Sequence, residues 1–275
     1  CCFGCGAYGD AIKCLREHDV LTCMESIEKL AAIANVEIPK SYSKKNDSSK
    51  KLYQINETIN KHYVQNLKSN NNAVKYLENR GITRDLIDKF DIGVANDSWD
   101  SATKILKSSN QIKDGLKIGL LVESKGKLYD RFRNRIMFPI RSTSGNIIAF
   151  GGRALDKDDN AKYINSPESD LFYKSAELYG LYESKQDISK KDQIIIVEGY
   201  TDVVALHKNG FGNSVAALGP AFTKLHLPKF IRYSKNIVFC FDGVVPGNKS
   251  AWKAMLICLP EVRVVFYPNL SATDT

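Results

Sequence analysis

Two acidic residues stand directly behind runs of β-branched and aromatic residues. Glu198 follows Ile194-Ile195-Ile196-Val197, and Asp242 follows Ile237-Val238-Phe239-Cys240-Phe241. Each is followed by a glycine, Gly199 or Gly243, which lets the chain turn sharply and lets a ligand approach the backbone. Asp202 lies one helical turn beyond Glu198. In open α/β sheets ligands bind at the carboxyl ends of the strands. Carboxylates converging there suit Mg²⁺ (or Mn²⁺), a hard cation that takes oxygen ligands and shares them with phosphates. A single strand-end acid more often only caps a helix or meets solvent; two of them, with Asp202 nearby, favour the metal reading.

A second set of residues is cationic. Arg131, Arg133 and Arg135 alternate, so on one strand they share a face, and Arg153, Lys162 and Lys174 follow. Guanidinium groups make bidentate contacts to phosphate, and a basic groove beside a metal site can hold a template or a triphosphate. Taken alone such a stripe is more often a solvated sheet face. A third set is Cys2-Phe3-Gly4-Cys5, a C-x2-C knuckle. Tetrahedral zinc needs four ligands, and Cys14 and Cys23 occupy apolar positions of a helical pattern, as structural cysteines do.

The elements that must position these residues follow from the hydrophobic pattern. Ile12, Leu15, Val20, Met24, Ile27, Leu30 and Ile33 recur at helical spacing, and Pro39 closes that segment. The polar, basic stretch 41–51 has no periodicity and predicts a linker. Residues 52–70 predict a helix, and 73–90 two short helices broken at Gly81, with Thr83 as N-cap of the second. Two strand-like runs, 135–140 and 146–150, predict a hairpin through 142–145. Beyond residue 193 short apolar runs alternate with helical ones: 194–197 then 202–207, 214–218 then 224–231, 237–241 then 248–259, and finally 262–267. That alternation predicts a doubly wound parallel sheet.

Composition agrees with a folded, nucleic-acid-facing chain. Of 275 residues, 43% are hydrophobic; 39 Lys and Arg against 31 Asp and Glu give a net charge of +8. A surplus of that sign favours a polyanionic partner. No apolar run is long enough to span a bilayer, and no secretory leader opens the chain. Seven cysteines, five of them within the first 23 residues, speak for reduced thiols or metal rather than a disulfide framework, and hence for a cytoplasmic protein with no membrane partner.

Glu198-Gly199-Tyr200-Thr201-Asp202, with Phe241-Asp242-Gly243 and an Ala251-Trp252 helix after it, resembles the TOPRIM motif set of primases, some topoisomerases and certain nucleases. The block before it narrows the resemblance. Arg131-Phe132-Arg133-Asn134-Arg135, Ile136 to Arg141, Ala149-Phe150-Gly151-Gly152-Arg153, Lys162-Tyr163-Ile164-Asn165-Ser166-Pro167-Glu168, Lys174 and Leu178-Tyr179-Gly180-Leu181-Tyr182 are similar, in order and spacing, to the polymerase core of the bacterial (DnaG-type) primase family. Cys2 to Leu15 resembles the second half of that family's zinc ribbon, whose other ligand pair would precede residue 1. Cys2 and Cys5 would then be a half site, with Zn²⁺ belonging to the complete protein. A chain that opens on Cys is expected to lack upstream sequence.

The resemblance implies a mixed α+β chain: a partial zinc-binding domain over 1–40, a linker over 41–51, an N-terminal subdomain of the polymerase core over 52–190, and a TOPRIM subdomain over 191–275. It implies template-directed synthesis of short RNA primers on single-stranded DNA from ribonucleoside triphosphates, through an RNA/DNA hybrid. Glu198 and Asp242 would hold Mg²⁺, Asp202 would position the site or hold a second ion, and Arg131, Arg133, Arg135, Arg153, Lys162 and Lys174 would bind nucleotide phosphates or template. The family's replicative helicase contact would lie beyond residue 275. Two departures stand out: Val244 replaces the second Asp of the family's Asp-Gly-Asp, and the later acidic clusters correspond to Asn269-Leu270 and Ala272-Thr273-Asp274. They leave open a primase-like module that binds nucleic acid without catalysis; another TOPRIM enzyme, a topoisomerase or nuclease, would give the 131–168 block no role.

Overall fold

The computed structural model describes residues 9–18, 23–34, 36, 43–156, 159, 161–218, 222–241, 245–258 and 262–266. The chain forms two compact units, 1–50 and 51–275. The first contains α1 (Ala11–His18) and α2 (Cys23–Ala34). The division falls within α3 (Ser43–Ser69). The stretch 41–51, expected to be an aperiodic linker, is therefore helical from Ser43. Its lysines and serines carry no apolar stripe, so hydrophobic periodicity could not reveal it; helix formation there is a continuation of the strongly patterned part, where Leu52, Ile55, Ile59, Tyr63 and Leu67 are all buried.

In the second unit α4 (Asn71–Asn79) and α5 (Arg84–Lys89) are separated by Gly81, whose φ of +68° lies in the left-handed region. Thr83 occupies the N-cap position with extended backbone but makes no capping hydrogen bond with its side chain. Then come β1 (Gly93–Ala95), α6 (Ser101–Ser108), α7 (Ile112–Lys117), β2 (Leu121–Ser124) and β3 (Lys127–Asp130). The predicted hairpin is β4 (Arg135–Arg141) against β5 (Ile147–Ala154), with Phe138 opposite Gly151. With β6 (Tyr163–Asn165) they form an antiparallel sheet of order β1-β4-β5-β6.

The second sheet starts with β7 (Leu178–Tyr179) and α8 (Leu181–Lys191), and continues through β8 (Ile194–Val197), α9 (Tyr200–Lys208), β9 (Ser214–Ala217), α10 (Leu227–Phe230), β10 (Asn236–Phe239), α11 (Val245–Cys258) and β11 (Arg263–Phe266). Its order is β11-β10-β8-β9-β7. The four predicted strands run parallel; β7 joins the edge antiparallel to β9, too short a run to be read as a strand beforehand. β8 is Ile-Ile-Ile-Val and buried throughout, as a central strand covered on both faces requires. The chain runs from β8 to β9 on one side and then crosses to β10 on the other. The order therefore reverses at β8, and the crevice beyond its carboxyl end is where such sheets take ligands.

One apolar core links the two sheets, with Phe138 and Phe150 from the first, Tyr179 from the second, and Tyr200 and Val203 from α9. The Tyr200 ring stacks on Phe138 at 5.2 Å between centroids and meets Tyr179 edge-on at 4.7 Å.

Candidate active-site cleft

The carboxyl end of β8 delivers Glu198 to the surface. Gly199 is extended and precedes the first turn of α9, which carries Asp202; both acids are exposed. A Cβ at Gly199 would stand 3.0 Å from Asp202 Oδ2, a tight contact with the flexible end of an exposed side chain. Facing them across an open cleft of about 600 Å³ are Arg80, Arg153, Lys162 and Lys174, with Tyr163, Asn165 and the end of β9 completing the lining. Among the described lining residues four cations thus surround two carboxylates, which suits a strongly anionic ligand that also carries a cation.

The cations are held in different ways. Arg153, on β5, is buried; Nε donates to the Tyr76 hydroxyl and Nη1 to the Tyr163 hydroxyl, and the guanidinium lies 4.9 Å from the Tyr163 ring centroid. Tyr76 also carries Arg80 at 5.0 Å, so one tyrosine orients both arginines. Arg80 is the C-cap of α4. Behind this layer the Tyr200 hydroxyl donates to Asn165 Oδ1 at 2.6 Å, and Asn165 Nδ2 donates to the Leu218 carbonyl at 3.2 Å, tying β6 to both α9 and the end of β9. Burial pushes the Tyr200 hydroxyl pKa far above its ordinary value, so it stays a donor.

Glu198, Asp202, Arg153, Lys162 and Lys174 are brought together as the sequence suggested. The Arg131-Arg133-Arg135 stripe is not. β3 ends at Asp130, whose buried carboxylate accepts hydrogen bonds from the Ala102 and Thr103 amides. Phe132 then turns into the core, and Asn134 takes a left-handed φ of +48° before β4 starts at Arg135. The three arginines consequently sit on a turn and a strand start and do not share a face. Arg135 is buried, donating to the Ala161 carbonyl at 2.7 Å and pairing with Asp159 at 2.5 Å, a structural role. Arg131 is half-buried, and burial lowers its pKa. Arg133 stacks 3.9 Å above Trp99, a ring 61% exposed, and 5.5 Å from Tyr129.

Asp242 and Val244, and the zinc-ribbon residues Cys2 and Cys5, lie outside the described residues. Arg80, Tyr76 and Trp99 escaped sequence reasoning. Arg80 stands next to the helix-breaking Gly81 and far from any acidic motif, and an isolated Trp carries no spacing signal. Among the described residues, no three His, Cys, Asp or Glu side chains cluster as a metal set. Glu198 and Asp202 are hard oxygen donors on an open cleft and fit a magnesium ion that takes its other ligands from phosphate and water. Also among the described residues, no helix is long and apolar enough to cross a membrane.

Three family models cover the chain in succession: a CHC2 zinc finger over residues 1–46, the N-terminal domain of the DNA primase catalytic core over 62–185, and a Toprim domain over 192–266. DNA primase of Pseudomonas aeruginosa is 43% identical over 292 residues, covering 100% of this chain and 44% of that protein. DNA primase of Escherichia coli K12 is 39% identical over 289 residues, covering 100% of this chain and 50% of that protein. The chain spans about half the length of these curated relatives. Among solved structures, a DnaG primase catalytic domain bound to single-stranded DNA superposes with a TM-score of 0.75 at 38% identity, covering 82% of this chain and 76% of that one. The zinc-binding and RNA polymerase domains of Aquifex aeolicus primase superpose with a TM-score of 0.78 at 32% identity, covering 99% and 67%. With Glu198 at the end of the central strand, the basic cleft and all three modules in the family's order, the chain belongs to the bacterial DnaG-type DNA primase family.

Proposed function

We propose that this chain carries out the polymerising step of primer synthesis, joining ribonucleoside triphosphates on a single-stranded DNA template. The observation that carries the reading is the cleft at the reversal point of the parallel sheet, where Glu198 and Asp202 face Arg80, Arg153, Lys162 and Lys174. The four cations bind the triphosphate of the incoming nucleotide, with Arg153 pre-oriented by its two tyrosines. Glu198 and Asp202 would hold Mg²⁺ or Mn²⁺, with Asp242 as the further ligand that the sequence resemblance implies. When bound, that ion would neutralise the triphosphate and favour attack of a 3′-hydroxyl on the α-phosphorus, with the bond to the β-phosphate breaking and pyrophosphate leaving.

The template and the growing RNA/DNA hybrid run past the exposed Trp99, where an unpaired base stacks on the indole and Arg133 meets the backbone. Cys2 and Cys5 supply two of the four ligands that a zinc ribbon needs, and a replicative helicase is a partner of the protein.

A second reading rests on Val244, which stands where the family pattern has Asp: a module that kept the basic cleft and lost part of its metal set would bind DNA and nucleotide without polymerising. Incubating the chain with single-stranded DNA, labelled ribonucleoside triphosphates and a series of Mg²⁺ or Mn²⁺ concentrations separates the two. Metal-dependent, template-dependent RNA supports the first; tight DNA binding with no RNA at any metal concentration supports the second.

A further inference from the structure

Lys174 reaches the cleft from the loop 166–177, which has no regular structure of its own. Ahead of Lys174 this loop is pinned by backbone and core: the Ser166 amide donates to the Phe150 carbonyl at 2.8 Å, Phe172 is fully buried, and the Lys174 amide donates to Glu168 Oε1 at 2.9 Å. Behind Lys174 the anchors come from a distant part of the chain, the connection between β9 and β10. Thr223 Oγ1 donates to the Ser175 carbonyl at 2.6 Å, and Lys229 Nζ donates to Glu177 Oε1 at 2.8 Å. Glu177 is 8% exposed, and burial raises its pKa against the opposing pull of Lys229. Thr223 is itself fixed, since its amide donates to His226 Nδ1 at 2.9 Å and its hydroxyl accepts from the Leu225 amide at 3.2 Å.

A lysine side chain has long reach and high conformational entropy, so its binding energy depends on where its backbone is held. We propose that the pair Lys229–Glu177, together with the Thr223–Ser175 hydrogen bond, is a brace that sets the placement of Lys174 in the cleft, making Glu177, Lys229 and Thr223 positioning residues for triphosphate binding. The inference rests on the reading of the cleft as the triphosphate site. Leu218, at the end of β9, lines the same cleft that Lys174 enters.

The test compares Lys229→Met, Lys174→Ala and the double variant in the full chain, with KM for ribonucleoside triphosphate and kcat measured separately. Backbone amide exchange over 169–177 is followed in parallel. The brace predicts that Lys229→Met raises KM several-fold at unchanged kcat, that the double variant is no worse than Lys174→Ala alone, that Lys229→Arg restores KM, and that exchange after Lys174 quickens. An unchanged KM in Lys229→Met, or a double variant whose defects multiply, overturns it. If Lys229→Met fails to fold, the charge-swapped pair Glu177→Lys with Lys229→Glu takes its place, with wild-type-like KM as the supporting result and a KM as high as that of Lys174→Ala as the overturning one. If the unmodified chain shows no triphosphate turnover, the polymerising reading falls and the affinity for ribonucleoside triphosphate replaces KM in the same comparison: weaker binding with faster exchange in Lys229→Met supports the brace, and unchanged binding overturns it.

Discussion

Gly151 and Tyr200 pack backbone against ring: the tyrosine of α9 lies directly over the glycine of β5, and a Cβ there would overlap the Tyr200 ring and hydroxyl. This contact joins the antiparallel sheet, which supplies Arg153, to the turn that supplies Glu198 and Asp202. Gly151→Ala forces the ring aside and is expected to cost about 1–3 kcal/mol, the range for overpacking a dense core. Tyr200→Phe keeps the packing and loses only the hydrogen bond to Asn165, about 1 kcal/mol. Denaturant titration of both variants checks the order: alanine at 151 should be the more damaging.

Trp99 and Arg133 should affect template binding in separable ways. Trp99→Ala is expected to weaken single-stranded DNA binding by about 1–3 kcal/mol with the salt dependence intact, because stacking releases no counterions. Arg133→Ala is expected to weaken binding and also reduce the slope of log affinity against log salt by about one phosphate contact. Fluorescence titrations at several salt concentrations read both; an unchanged affinity in each variant would remove this platform from the template path.

Two buried groups titrate in opposite directions. Burial pushes the Glu183 carboxyl up to about 7 from an ordinary 4.5, with Arg141 opposing the rise. The folded state holds this proton more tightly, so Glu183 contributes stability below pH 4.5 that is lost as the pH rises towards 7, on the order of 3 kcal/mol. Burial also pushes His207 down to about 4 from 6.5, helped by Lys89, whose Nζ donates to Nδ1 at 3.0 Å. That contribution is present above pH 6.5 and is lost as the pH falls through 4. Glu183→Gln should leave a stability that climbs with pH between 4 and 6.5, and His207→Asn one that falls between 4.5 and 7. Denaturation midpoints measured across that range test the two slopes.

How much of this was legible in the sequence depended on periodicity. The apolar runs before Glu198 and Asp242 marked parallel strands, and the reversal of strand order at β8 puts its carboxyl end at the cleft. The β4–β5 hairpin was legible for the same reason. The Arg131 to Arg135 stripe misled because alternation in sequence means a shared face only on a continuous strand, and Phe132 and Asn134 break it. Arg80, which lines the cleft, and Tyr76, which holds Arg153 and Arg80, were invisible because tertiary packing of α4 brings them there, and the two-residue β7 is too short to show a period.

Arg153→Lys should be a poor substitute. The two tyrosine hydroxyls use different guanidinium nitrogens, and an ammonium cannot reproduce that fork. KM for ribonucleoside triphosphate is expected to rise about ten-fold or more, the scale of one lost charge-assisted hydrogen bond. Equal kinetics for Arg153→Lys and the unmodified chain would mean that Arg153 only fills space.

The most direct measurement is primer synthesis on single-stranded DNA as a function of Mg²⁺, in the unmodified chain, in Glu198→Ala and in Val244→Asp. Glu198 follows the central strand at the cleft, and the resemblance of the sequence implies a carboxylate at the position of Val244. The account predicts metal-dependent synthesis that Glu198→Ala abolishes and Val244→Asp raises, with half-maximal activity reached at lower Mg²⁺. Synthesis that survives Glu198→Ala at every Mg²⁺ concentration, with no response to Val244→Asp, would contradict it.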